Sequence, residues 1–429
     1  MKKKCSIVLL FLLWSIQCTA EESYSLVDLY RIALTTSEKL QSAQADADIA
    51  GLTRQKAFSA LVPKFSLYGN YSRMFDVSGN NPDWTNPWGV TVFQNFSLSG
   101  REVTAYKVSE EDRKQRMYEL LGLKSEVLFQ VATDFYNVLK SKKSYEIVKA
   151  DVTRLEKHRE SVMAQLKLET VTKLDLYRVE AELSQAKTNL LNALGMFTLA
   201  QSILTNQLCL PEPYSLIQPV HTPPIPTSPE TLSILKQDAL NERSEFKALA
   251  SEKKIMESMI TWNEGAFWPE GSIEGGYQYI DGGPDSFFED HDNFQIALKF
   301  NFLFYDGGYR KTIVSESMMM LYKLKLREKE LRKGVSIEVE QAYLDSIRQQ
   351  NLLLSLVDQL KYVQENYDAV TRQFQYGLAN SVDVMEANTL LSNTERQLSE
   401  VQYDFQLALL NISKAKGTLS SEIDALLEK

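Results

Sequence analysis

The chain has 429 residues, 44% of them hydrophobic and 24% charged, and carries a formal net charge of −9. That acidic balance argues against a nucleic-acid partner, whose phosphates call for a basic surface. A length above four hundred residues ordinarily divides into two or three domains.

The first residues announce export. Lys2, Lys3 and Lys4 precede an apolar run from Ile7 to Trp14, and Cys18-Thr19-Ala20 offers a small-residue exit before Glu21. This is the pattern of a secretory signal peptide over residues 1–20, cut after Ala20 and too short to span a bilayer as a mature helix. Cys18 opens a second option, a lipid-anchored start, although Gln17 stands where a lipoprotein signal has a small residue. Cleavage removes three lysines and leaves 44 basic and 56 acidic residues, a charge of −12. Cys209 is the only cysteine beyond the signal, so an internal disulfide is excluded. No later run of about eighteen apolar residues follows, which excludes a helical span and leaves a free, lipid-anchored or β-barrel protein.

In chain order the spacing predicts a helical stretch over 25–61, strands about 64–75 and 87–98, and long helices over 102–168 and 173–205. A connector over 210–229 carries seven prolines, Pro211, Pro213, Pro219, Pro223, Pro224, Pro226 and Pro229, and reads as extended because proline sustains neither helix nor central ladder. The series then recurs: a helical stretch over 229–267, strands about 270–280 and 293–303, helices over 310–375 and 382–417, and a tail over 418–429. Ala33-Leu34 matches Ala239-Leu240, Leu40 matches Phe246 and Pro63 matches Pro269. Further on, Gly100 pairs with Gly308, Phe135 with Tyr343 and Asp175 with Asp383. The offset changes once, inside a loop region, which is how an internal duplication drifts; the two repeats cover 21–209 and 230–417.

The arms are too long for an ordinary globular domain, since 67 residues at 1.5 Å each reach roughly 100 Å. Val127, Val131, Phe135 and Val138, then Tyr145, Val148, Val152 and Leu155, form a stripe that must be buried against other helices. A plain antiparallel coiled coil accounts for the arms but not for the segments between them. Phe294, Ile296, Leu298, Phe300 and Phe302 alternate with Asn293, Gln295, Ala297, Lys299 and Asn301, the length and pattern of a membrane β-strand. Segment 64–73 sets Phe65, Leu67 and Tyr71 opposite Lys64, Ser66, Asn70 and Ser72. Segment 88–98 aligns Trp88, Val90, Val92, Phe96 and Leu98, with Gln94 breaking the face, and 272–280 sets Ile273, Tyr277 and Tyr279 against Glu274 and Gln278. Trp84, Trp88, Tyr277 and Tyr279 cluster near strand ends, where amphipathic rings suit a headgroup region. A four-stranded sheet on a soluble core is the alternative. Four strands cannot close a wide barrel and lipid tolerates no open edge, so a barrel requires several chains, three of which would supply twelve strands. The loops Asp76–Pro87 and Asp281–Asp292 are rich in turn residues that suit water.

Phe302-Leu303-Phe304-Tyr305-Asp306-Gly307-Gly308-Tyr309-Arg310, its weaker counterpart Phe96 to Arg101, Val339 to Tyr343, and Gly377 to Ala387 together resemble the TolC-like outer membrane factors of tripartite efflux and type I secretion systems. The resemblance covers essentially all of the mature chain. It implies an α+β membrane protein: a homotrimer with a twelve-stranded outer-membrane β-barrel continued by a long periplasmic α-helical barrel. The connector and the C-terminal end would form a mixed equatorial region. It implies as partners a periplasmic adaptor (membrane fusion) protein, an inner-membrane RND, ABC or MFS transporter and outer-membrane lipid, with no cofactor and no catalysis. The alternative in another class is a non-channel periplasmic coiled-coil scaffold.

The same resemblance assigns the candidate sites. Phe302, Leu303, Asp306, Gly307 and Gly308 form the strand-to-helix signature. Hairpin turns fall at Glu169–Lys173 and Gly377–Ser381, so Thr172, Asp175, Phe374, Gly377, Ala379, Asn380 and Ser381 belong to the tip and its gating region. Asp383 and Glu386 occupy the positions of paired entrance acids, which a threefold axis would turn into two acidic rings favouring cations; the plainer reading is a helix N-terminus stabilised by acids. Phe374 and Ala379 stand where the best-known member of the family has a tyrosine and an arginine that tie the tip shut. Both donors are absent, and the expected closed state depends on packing or other charges. No enzyme constellation emerges: His158, His221 and His291 are scattered. The acids Asp281, Asp285, Glu289, Asp290 and Asp292 match no calcium-loop spacing, and Met318 to Met320 reads as core filler.

Overall fold

The structure, a computed structural model, describes residues 22–75, 82–211, 213–218, 229–283 and 291–428. The signal peptide with Cys18, most connector prolines, His221, and Asp285, Glu289 and Asp290 lie outside them.

Four helices dominate. α3 (Arg101–Lys167) and α7 (Tyr309–Gln375) have 67 residues each, and α4 (Lys173–Leu208) and α8 (Ser381–Lys416) have 36 each. At 1.5 Å per residue the long pair extends roughly 100 Å. α3 packs on α4 through Val152, Leu155, Leu183 and Ala186, while α8 returns along α7 and also contacts α3.

Shorter helices brace the upper arms. The first stretch is two helices, α1 (Leu26–Thr36) and α2 (Glu38–Ser59), broken at Ser37, whose extended backbone (ψ 113°) ends one helix while its side chain caps the next. The second is likewise divided into α5 (Pro229–Glu242) and α6 (Ser244–Glu264) at Arg243, extended at ψ 129°. Arg243 is held there by Glu245 and Glu338, each at 2.6 Å. The helical stretches expected over 25–61 and 229–267 are thus each a pair of helices, because one extended residue interrupts the i to i−4 ladder. The tail over 418–429 likewise contains a helix, α9 (Leu419–Leu427), with Leu419 and Ile423 buried in the largest core. That core gathers Leu29 from α1, Leu128 and Phe135 from α3, Leu204 from α4 and Tyr403 from α8. Beside it β1 (Glu22–Tyr24) pairs in parallel with β6 (Tyr214–Leu216), joining the start of the described chain to the connector.

The opposite end of the arms carries β2 (Lys64–Gly69), β5 (Trp88–Ser97), β7 (Glu270–Tyr279) and β9 (Asp292–Asn301), antiparallel in the order β2-β5-β7-β9. The first strand leaves this sheet at Gly69. Its continuation, β3 (Ser72–Arg73), pairs with β4 (Trp84–Thr85) and through it β8 (Gly282–Gly283), joining the outer ends of the two strand hairpins. Register aligns the apolar sets on one face: Phe65 opposite Val92, Val90 opposite Tyr277, and Ile273 opposite Leu298. The other face brings Ser66 to Thr91 and pairs Lys299 with Glu274. Neither face is covered: Phe65 is 73% exposed, Leu67 76% and Ile296 72%. No helix among the described residues is long and apolar enough to cross a membrane.

Candidate functional site

Two regions carry the residues singled out by sequence, one at each end of the arms. At the strand-to-helix joint, Gly307 and Gly308 have φ of 69° and 91°, left-handed conformations that favour glycine. Asp306 locks the turn. Its carboxylate accepts from the Gly308 and Arg310 amides, both at 3.0 Å, and from Arg310 Nε at 2.7 Å. These bonds from Arg310, and secondarily from Gly308, hold its pKa below the usual carboxylate value. Phe302 and Leu303 are exposed. Arg310 also donates to the Ala266 carbonyl at 3.0 Å and lies over the Phe267 ring at 4.9 Å. The first-half joint uses the same device: Arg101 lies over Trp262 at 3.8 Å and pairs with Glu270 at 2.7 Å. Trp262 and Phe267 were not singled out by sequence, and the two arginines entered only as the last residues of the quoted motifs, because each cation meets its ring only after the chain has folded back.

At the far end the two hairpins turn. α3 and α7 each end two residues before a left-handed position, Glu169 (φ 57°) and Gly377 (φ 73°) respectively. α4 begins with a capping box in which Asp175 accepts from Thr172 N (2.9 Å) and Oγ1 (2.7 Å). α8 begins with another, Asp383 accepting from Asn380 N at 2.9 Å while Asn380 Oδ1 accepts from Asp383 N at 2.9 Å. Asp175 has a lowered pKa for this reason, the Thr172 side chain contributing most. Asp383 is therefore engaged as a cap, and Glu386, one turn on, is exposed.

Phe374 packs inside the tip. It is 2% exposed and sits with Val162, Val179 and Val384 in a cluster shared by both hairpins, against which Ala379 also packs. His158 completes the cluster, its ring 5.0 Å from that of Phe374 and its Nε2 2.9 Å from Ser381 Oγ. Burial lowers the His158 pKa. The tip thus brings together Phe374, Ala379, Ser381 and the overlooked His158, while Thr172 and Asp175 remain occupied with each other. His291 lies elsewhere, stacked on Tyr279. Met318, Met319 and Met320 are exposed on the protomer rather than filling a core. Among the described residues no group of three or more His, Cys, Asp or Glu side chains is arranged to hold a metal.

Comparison with known proteins agrees with this architecture. Residues 235–418 match the family model described as outer membrane efflux protein. The chain is 21% identical over 411 residues to the outer membrane protein TolC of Vibrio cholerae, covering 93% of this chain and 92% of the relative. Among solved structures, CusC superposes with a TM-score of 0.82 at 15% identity, over 91% of this chain and 92% of that one. The Campylobacter jejuni CmeC outer membrane channel gives 0.82 at 15% identity, over 94% and 89%. A small uncovered sheet on long paired helical arms is the fold of the TolC-type channels. The second half of the chain thus matches the outer membrane efflux protein family, and the whole chain has the fold of these outer-membrane channels.

Proposed function

We propose that the chain is the passive outer-membrane exit duct of a tripartite efflux or type I secretion system, with its helical arms extending into the periplasm. The family match over residues 235–418 and the likeness to outer-membrane channels support this role, and with it a conduit that does no chemistry. The observation that carries it is the sheet: one face is apolar and exposed, and β2 and β9 have open outer edges among the described residues. In lipid an unpaired strand edge is not tolerated, whereas in water an exposed aromatic face is a liability. Both problems vanish when three copies close a twelve-stranded barrel, wide enough for an aqueous lumen. The equal arm lengths, the paired capping boxes and the matched left-handed joints at Gly100 and Gly308 support an internal duplication.

In that trimer the hairpin tips face the periplasm and receive an adaptor bound to an inner-membrane pump, which supplies the energy. Around a threefold axis Asp383 and Glu386 form two acidic rings at the entrance, and cations are favoured over anions there. The test is purification from outer membranes, imaging and planar-bilayer recording. A trimer with a projection roughly 100 Å long, the length of the arms, and cation-selective conductance that Glu386→Gln reduces are expected. A compact, water-soluble monomer would sink the reading in favour of a periplasmic scaffold.

A further inference from the structure

The polar face of the four-stranded sheet carries little charge and carries it in one place. Register puts the even-numbered residues of β2 and β7 and the odd-numbered residues of β5 and β9 on that face. Among them only Lys64, Glu270, Glu274 and Lys299 are charged, and the two lysines cancel the two glutamates. All four lie in the halves of their strands nearest the arms; the outer halves hold only neutral side chains on this face. Each glutamate has a cation of its own. Lys299 Nζ donates to Glu274 Oε2 at 2.5 Å, from the neighbouring strand, and Arg101 Nη1 donates to Glu270 Oε1 at 2.7 Å. The Lys299 side chain is 63% exposed and that of Glu274 33%, so the first of these pairs stands open to whatever fills the space beside the face.

An exposed ion pair does little for stability, because water screens it and two long side chains must be ordered to make it. Its effect on the electric field is larger. A lone carboxylate on the wall of a water-filled passage draws cations towards it, and three related by a threefold axis do so together. Passage requires an ion to leave as readily as it enters. A bare Glu274 ring in the barrel, added to the acids at the tip, would hold cations back on their way out.

We propose that Lys299 is a specificity-determining residue of the barrel, whose ammonium masks Glu274 and keeps the barrel lumen from discriminating between cations and anions. The inference rests on the duct reading, since only a closed barrel turns the polar face into the wall of a passage. Charge selection is then confined to the tip, and an ion that has passed Asp383 and Glu386 meets a neutral exit.

Reversal potentials of purified trimers in planar bilayers under a potassium chloride gradient test it. Lys299→Gln uncovers Glu274 and should raise the potassium-to-chloride permeability ratio roughly twofold. Glu274→Gln leaves the lysine uncovered and should lower the ratio by a similar factor. The double variant should return it to the wild-type value. These shifts should be present near 0.1 M salt, where charges act over about 10 Å, and vanish near 1 M, where they act over about 3 Å. Opposite signs from the two single variants separate masking from a loosened barrel, which would move both the same way. If Lys299→Gln does not assemble, the fall in Glu274→Gln and its loss at high salt decide the matter. Conducting trimers whose single variants keep the wild-type ratio, or shift it in one common direction, would overturn the masking and leave the duct standing. Absence of conductance from every sample, wild type included, would overturn the duct reading and the masking with it.

Discussion

Glu169 and Gly377 occupy the same step of the two tip turns but at different conformational cost. Both are left-handed, at φ 57° and 73°, and a side chain there costs about 1–2 kcal/mol relative to glycine. Glu169→Gly should therefore stabilise the first tip turn and Gly377→Ala destabilise the second, each by about 1 kcal/mol; local hydrogen exchange at the two turns reads both signs. His158 adds a pH dependence. Burial lowers its pKa when the tip is packed, so the parted tip binds a proton more readily than the packed one. Packing is fully favoured above the unperturbed value of about 6.5 and weakens as pH falls through it towards the lowered one. Tip amides, corrected for intrinsic exchange rates, should lose protection between about pH 7.5 and about pH 5.5, and His158→Leu should flatten that response. A pH-independent wild-type tip would contradict the argument. These effects were only partly visible in sequence. Phe374 and Ala379 stood out because they lack donors, but a lone histidine on a long arm looks solvated until Ser381, 223 positions away, is folded against it.

At the scale of elements, the arms and strands were legible because their signals are periodic and long. An unbroken stripe three and four apart without proline marks a helix, and strict alternation such as Phe294 to Phe302 marks a strand. The breaks at Ser37 and Arg243 were not legible, since one extended residue leaves the surrounding helical pattern intact. The polar contacts between α3 and α8, such as Asn388 Nδ2 donating to Asp151 Oδ1 at 2.7 Å, escaped notice for a related reason: Asp151, Arg154 and Asn388 have the composition of a wet helix face. The joints between strand and arm are where the two kinds of element are fastened. Arg310→Leu removes the Nε and Nη donors at Asp306 and the Ala266 carbonyl and leaves Phe267 without its cation. Hydrogen exchange over 306–312 should then accelerate, the first turn of α7 fraying while the tip 67 residues away keeps its protection. An equal change at both ends would show that the joint is not a local fastening.

For the whole molecule, the protomer leaves apolar surface uncovered at several levels. Beyond the sheet face, Leu191, Met196 and Leu199 of α4 and Leu354 and Tyr362 of α7 are exposed. A lone protomer with that surface is a poor water-soluble species, and assembly and insertion are expected to stabilise one another. Substituting Phe294 and Ile296 together by serine should lower recovery from outer membranes and weaken the detergent-resistant trimer, read by native mass measurement. The same pair in a soluble scaffold would improve solubility instead.

The two long helices have identical residue counts, and so do the two shorter ones. Length in this protein is therefore a shared setting rather than a property of any one helix. Seven residues added to α3 alone would push one turn roughly 10 Å past its neighbour and slide every contact opposite it, whereas seven added to all four would keep each contact matched and simply deepen the reach. The arms set one common reach below the sheet, and that reach can be changed only in matched steps, on both descending and both returning helices at once.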